Sequence, residues 1–163
     1  YLNHATRGIN QYKQHQPIKY QHLIFGNCII KQSVFQNIKL NLELQAYGGE
    51  ELDFAYRLNR EYPQQTIACK TAIVMRVNHP KLTRHCLRLE EFGEINFPLL
   101  NTVLQQTVVK YKLVLKKKCI LKYLILFINR VSFKLYQWGF GTRGIIKIAM
   151  LTSILKGYYK NTK

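Results

Sequence analysis

The chain has 163 residues, 47% of them apolar, and a formal charge of +17. That length gives one domain or slightly more, and the apolar share is enough for a real core, which excludes a chain kept unfolded by its composition. Charge is unevenly divided: residues 1–94 carry 12 Lys/Arg against all 8 Asp/Glu, a net +4, whereas residues 95–163 carry 13 Lys/Arg and no acid. A polyanionic surface, lipid headgroup or nucleic acid, is therefore the expected neighbour of the C-terminal part. The four cysteines (Cys28, Cys69, Cys86, Cys119) are widely spaced without a Cys-x-x-Cys pair, so buried free thiols in a reducing compartment are expected rather than a disulfide scaffold.

Residues 1–20 are polar and aromatic, punctuated by Gly8 and Pro17, and read as a short helix or loop leading to a strand. His22 to Ile30 is a short apolar run interrupted by Gly26-Asn27, which predicts a strand, a turn and a second strand. Asn27 either caps that turn or faces a ligand. Lys31 to Ile38 has helical spacing, with Val34, Phe35 and Ile38 on one face. Next comes Tyr47-Gly48-Gly49-Glu50-Glu51-Leu52-Asp53-Phe54-Ala55-Tyr56-Arg57-Leu58. Half of the chain's acids lie between Glu50 and Glu61. Two glycines ahead of an acidic, apolar-periodic run predict a tight loop feeding a helix N-terminus, where backbone N–H groups and the helix dipole favour negative charge. Glu50, Asp53 and Arg57 share one face of that helix, and Glu51 is left near the loop mouth. The more ordinary reading of the same acids is that they only stabilise the helix start.

Tyr62-Pro63 ends the helix. Thr66–Cys69 reads as a brief strand and Ala72–Val77 as a longer one, running into Asn78-His79-Pro80. A histidine there suits a metal ligand or an acid/base group, although a lone histidine is more often structural. Lys81 to Phe92 is a helix of mixed charge that Gly93 is expected to break. Strand, helix, acidic helix, strand pair, histidine and helix make an α/β order.

The succession FGNCIIKQSVF, then YGGEELDFAYRL, then VNHP followed by a helix ending in EEFG resembles the C-terminal half of the catalytic domain of family-2 glycosyltransferases, over residues 1–107. The resemblance implies the Rossmann-like GT-A fold and sugar transfer from a nucleotide-sugar donor to a glycan or lipid-linked acceptor, in cell-surface polysaccharide synthesis. It makes the second residue of the acidic pair, here Glu51 where the family usually has Asp, the general base on the acceptor hydroxyl. Glu50 becomes its orienting neighbour; Asn27, Gly49 and Arg57 line the acceptor side; His79 helps coordinate a divalent cation, Mn²⁺ or Mg²⁺, on the donor diphosphate. The family's Asp-x-Asp metal motif is absent, since Asp53 is the only aspartate. The nucleotide-binding half is accordingly expected upstream of Tyr1.

Residues 108–163 change character. Lysines at 110, 112, 116, 117, 118 and 122 interleave with apolar residues, and Tyr123–Ile128 is wholly apolar. No uncharged stretch of this tail approaches the ~20 residues of a membrane span. A basic amphipathic helical hairpin is expected, turning at Gly139, Gly141 and Gly144, with Tyr136, Trp138 and Phe140 as interfacial anchors. A hairpin packed on the catalytic core is the other arrangement open to it. The expected location is cytoplasmic, peripheral on the inner face of the cell membrane. The alternative function is a basic membrane-surface or nucleic-acid-binding protein without catalysis, although no helix-turn-helix, zinc or RNA-recognition signature is present.

Overall fold

The computed structural model describes residues 11–23, 25–71, 81–110 and 119–160. Six α-helices follow in chain order: α1 (Gln32–Asn37), α2 (Glu50–Glu61), α3 (Leu82–Glu94), α4 (Thr102–Val108), α5 (Cys119–Gln137) and α6 (Arg143–Tyr158). Short 3-10 turns stand at Tyr20–His22, Phe25–Asn27 and Phe97–Leu99. The structure is 63% helical with no strand or sheet among the described residues, which overturns the α/β expectation and with it the Rossmann-like GT-A domain.

The segments read as strands show why. Leu23, Phe25 and Ile30 pack against Ile38, Phe54 and Leu58. These three side chains are thus partly buried on helices through a 3-10 turn, while Ile29 is left 97% exposed. Short apolar runs meet their burial requirement either way, and periodicity does not separate the two outcomes. Thr66–Cys69 reaches only one antiparallel bridge, Ile67 to Pro17, flanked by the bonds Ile18 N–H to Thr66 O (2.9 Å) and Ala68 N–H to Gln16 O (2.9 Å). Pro17 sits at the position whose missing N–H the ladder does not need. The run Ala72–Val77 and His79 lie outside the described residues.

The chain forms two compact units: Tyr1–Asn41 with Glu50–Asn78, and Leu42–Gly49 with His79–Lys163. In the first, Phe54 is fully buried, with the rings of Phe25 and Phe35 at 5.3 and 5.8 Å. The buried side of α2 is Asp53, Phe54, Ala55 and Leu58. A second small cluster, Tyr12, Ile18 and Ala68, lies beside the bridge.

In the second unit α6 packs against both α3 and α5. Gly93, expected to break a helix, instead lies inside α3, where a Cβ would land on the carbonyl of Ile154; a Cβ on Gly157 would likewise meet the backbone of Glu90 and Glu94. Glycine here permits close helix approach. Lys156 and Lys160 clamp Glu90 at 2.8 and 3.1 Å, and Lys160 reaches Glu94 at 2.8 Å. Asn101 caps α4 by accepting from Leu104 N–H, and Thr142 caps α6 by accepting from Ile145 N–H. Between α5 and α6, Asn129 donates to Thr152 Oγ1 (2.9 Å) and Ser153 Oγ (3.2 Å), a buried polar seam.

Candidate catalytic site

Helix α2 begins where the sequence placed it, at Glu50, directly after the two glycines. Gly48 and Gly49 have φ of +90° and +94°, left-handed values that L side chains rarely adopt, and a Cβ on Gly49 would come within 2.8 Å of the Phe92 ring. Their loop belongs to the second unit and is held there by Asn96. The Asn96 carboxamide donates to Ala46 O and Gly48 O, both at 2.7 Å, and accepts from Ala46 N–H at 3.1 Å. Asn96 is fully buried. Nothing in its local sequence marks this role, because its partners lie about fifty positions earlier.

Glu50 and Glu51 occupy the first turn of α2, where free backbone donors and the dipole favour carboxylates. Burial nevertheless raises the proton affinity of Glu51 above the ordinary glutamate value. The negative charge of Glu50 raises it further, and a hydrogen bond from the Phe25 backbone acts in the opposite direction. Glu50 Oε2 is itself buried, with no hydrogen-bond partner among the described residues. Cys28 stands close enough to feel this charge: its thiol is pushed up first by burial and then by Glu51. The Phe25–Asn27 turn and Cys28 therefore adjoin the carboxylate pair. Asn27 is an exposed member of that turn, and the space beside Gly26 is open.

Arg57 is engaged elsewhere. Its Nε and Nη2 each lie 2.9 Å from Asp53 Oδ2, and Nη1 donates to Lys39 O at 2.8 Å. Asp53 is 9% exposed, so the pair ties α2 to the chain after α1. A surface cavity of about 450 Å³ is lined by Asn37, Ile38, Arg57, Arg60 and Glu61. It lies toward the C-terminal end of α2, not at the Glu50–Glu51 turn, and its lining holds neither of these carboxylates.

The structure thus brings Glu50 and Glu51 to the turn containing Asn27. It places Gly49 in a loop of the second unit and Arg57 against Asp53. His79 lies outside the described residues. Among the described residues no three His, Cys, Asp or Glu side chains gather as metal ligands, so these residues alone do not fit the expected divalent cation. Cys28, Cys69 and Cys86 are free thiols; Cys69 is exposed rather than buried.

What the turn supplies chemically is a carboxyl group more basic than usual, beside a second carboxylate and an open 3-10 turn. That suits removal of a proton from a hydroxyl. Among the described residues no helix is long and apolar enough to cross a membrane. No family model matches the chain, and neither a curated protein nor a solved structure matches it.

Proposed function

We propose that this chain is the C-terminal part of an inverting glycosyltransferase in which Glu51 is the general base. The observation that carries the reading is the placement of Glu51 in the first turn of α2, beside Glu50 and against the Phe25–Asn27 turn, where burial also raises its proton affinity. The order of motifs around it, Gly26-Asn27, the glycine pair and the acidic pair, supports it. In the proposed step, Glu51 takes the proton of an acceptor hydroxyl on a glycan or lipid-linked acceptor. The hydroxyl oxygen forms a bond to the anomeric carbon while the bond from that carbon to the donor phosphate breaks. The electron pair leaves with the nucleoside diphosphate, and displacement from the opposite side inverts the anomeric centre. Asn27 would contact the acceptor, and Glu50 raises the basicity of Glu51. A divalent cation on the diphosphate would need an Asp-x-Asp outside this chain. The proposed location is cytoplasmic and peripheral, on the inner face of the cell membrane.

In the full-length protein, Glu51→Gln lowers kcat for sugar transfer by about 10²–10⁴-fold while the far-ultraviolet circular dichroism spectrum is unchanged. A rate within twofold of the native one removes Glu51 from the reaction. The pH profile gives a sharper reading. The acidic limb of kcat/KM should lie above the ordinary glutamate pKa, and Glu50→Gln should move it to lower pH, because the charge that raises Glu51 has been removed. An unmoved limb would sever Glu50 from the base.

A further inference from the structure

Helix α5 is amphipathic in the opposite sense to a helix that faces water. Its inward side, packed on α6, carries Asn129 and Ser132 beside Ile125. Its outward side carries Ile120, Tyr123, Leu124, Phe127 and Val131, and the helix leads on to Trp138. Ile120 is 85% exposed, Phe127 64% and Trp138 70%. At about 100° per residue these positions fall within one stripe roughly a quarter-turn wide, centred opposite Asn129 and Ser132. Exposed Arg130 stands just outside the Tyr123 margin of the stripe, and exposed Lys134 lies within it, between Tyr123 and Phe127. Large apolar side chains outside with a small polar seam inside is how a helix pair is arranged when the medium it faces is apolar.

We infer that the outward face of α5, from Ile120 to Trp138, lies in the headgroup and upper acyl region of an anionic lipid monolayer. Charge selects this occupant. Residues 95–163 hold 13 Lys/Arg and no Asp/Glu, so a negatively charged surface is favoured. Apart from Lys134 the stripe is apolar and aromatic, offering few groups to hydrogen-bond base edges. At 19 residues interrupted by Lys122, Arg130 and Lys134, α5 suits lying along the interface rather than crossing it. Basic side chains such as Arg130 and Lys134 bury their stems and lift their charges to the phosphates. α6 takes no comparable part, since Ala149, Thr152, Ser153, Ile154, Leu155 and Gly157 are buried. The inference deepens the peripheral placement proposed above and rests on it for the presence of a membrane.

Trp138 is the chain's single tryptophan and reports directly on the surface. With phosphatidylcholine vesicles containing phosphatidylglycerol, its emission should shift to the blue and the protein should float with the vesicles. Leu124→Glu and Phe127→Glu should each weaken partitioning by about tenfold or more. Arg130→Gln and Lys134→Gln should each weaken it by about fivefold. Val103→Glu, an equally exposed apolar site on α4, should leave it unchanged. Absence of flotation by the native protein overturns the peripheral placement together with this inference. Flotation that the α5 substitutions do not weaken overturns the assignment to α5 alone. Equal binding to pure phosphatidylcholine overturns the anionic surface. A blue shift without lipid, accompanied by a concentration-dependent rise in mass, gives the stripe to a second copy of the chain instead.

Discussion

Asn96 shows how much one buried amide carries. Its three hydrogen bonds satisfy both ends of the Ala46–Gly48 loop, and truncation would leave those partly buried backbone groups without their partner. Asn96→Ala should cost about 2–3 kcal/mol, read as a lower denaturation midpoint with unchanged m-value. The opposite sign is expected at Glu51. A carboxyl whose folded pKa is raised favours the folded state below its ordinary pKa, and that advantage is lost as pH rises through the raised value. At neutral pH the ionised Glu51 therefore works against folding. Glu51→Gln should raise the thermal midpoint at pH 7 even as it removes the proposed base, and a midpoint below the native one would contradict the burial and repulsion described here. The position of Glu51 was legible from Gly49-Glu50-Glu51, because glycine and acid chemistry at a helix start is local. The role of Asn96 was not, because a clamp across fifty residues leaves no local mark.

At the scale of elements, the crossing of α3 and α6 rests on Gly93 and Gly157. Gly93→Ala would place a methyl group on a backbone carbonyl that cannot turn aside, so the helices must separate, at a cost of about 2–3 kcal/mol, measurable as loss of midpoint in thermal unfolding. A methyl tolerated without loss would disprove so close a crossing. The lysine clamp on the same pair of helices responds to pH. Burial tends to raise the pKa of Glu90, but the hydrogen bonds and charges of Lys156 and Lys160 outweigh it and hold the carboxyl below its ordinary range. Its stabilisation is present above the ordinary glutamate pKa and lost as pH falls through the lowered value. Lys160 is raised chiefly by its hydrogen bond to Glu94, so its share persists below the ordinary lysine pKa and disappears as pH rises through the raised one. Replacing Glu90 with Gln should cost about 1 kcal/mol or less at pH 7, given the exposure of both lysines, and should flatten the acid limb of the stability profile. Sequence periodicity placed α1, α2 and α6 nearly correctly, α2 and α6 because they span several turns and α1 because Val34, Phe35 and Ile38 share one face. It misread Gly93 as a terminator, because a glycine needed for close approach and a glycine that ends a helix look alike until the opposing helix is known.

For the molecule as a whole, both units are basic: the first carries 9 Lys/Arg against 4 Asp/Glu, and the second ends, over residues 95–163, without a single acid. On the proposed function this 163-residue chain alone should neither bind a nucleotide sugar nor turn it over. Calorimetry with a nucleotide sugar and Mn²⁺ that showed micromolar binding would refute that. The sequence by itself determined the acidic start of α2, the helical course of the tail and the gradient of charge, all of which depend on neighbours within a few turns. Tertiary structure alone decided that Leu23, Phe25 and Ile30 pack against the cluster of Ile38, Phe54 and Leu58 rather than in a sheet, that Asn96 holds the glycine loop, and that α5 turns its large apolar residues outward. Each of those depends on which distant segment arrives to cover a given face, and apolar side chains state only that they must be covered, not by what.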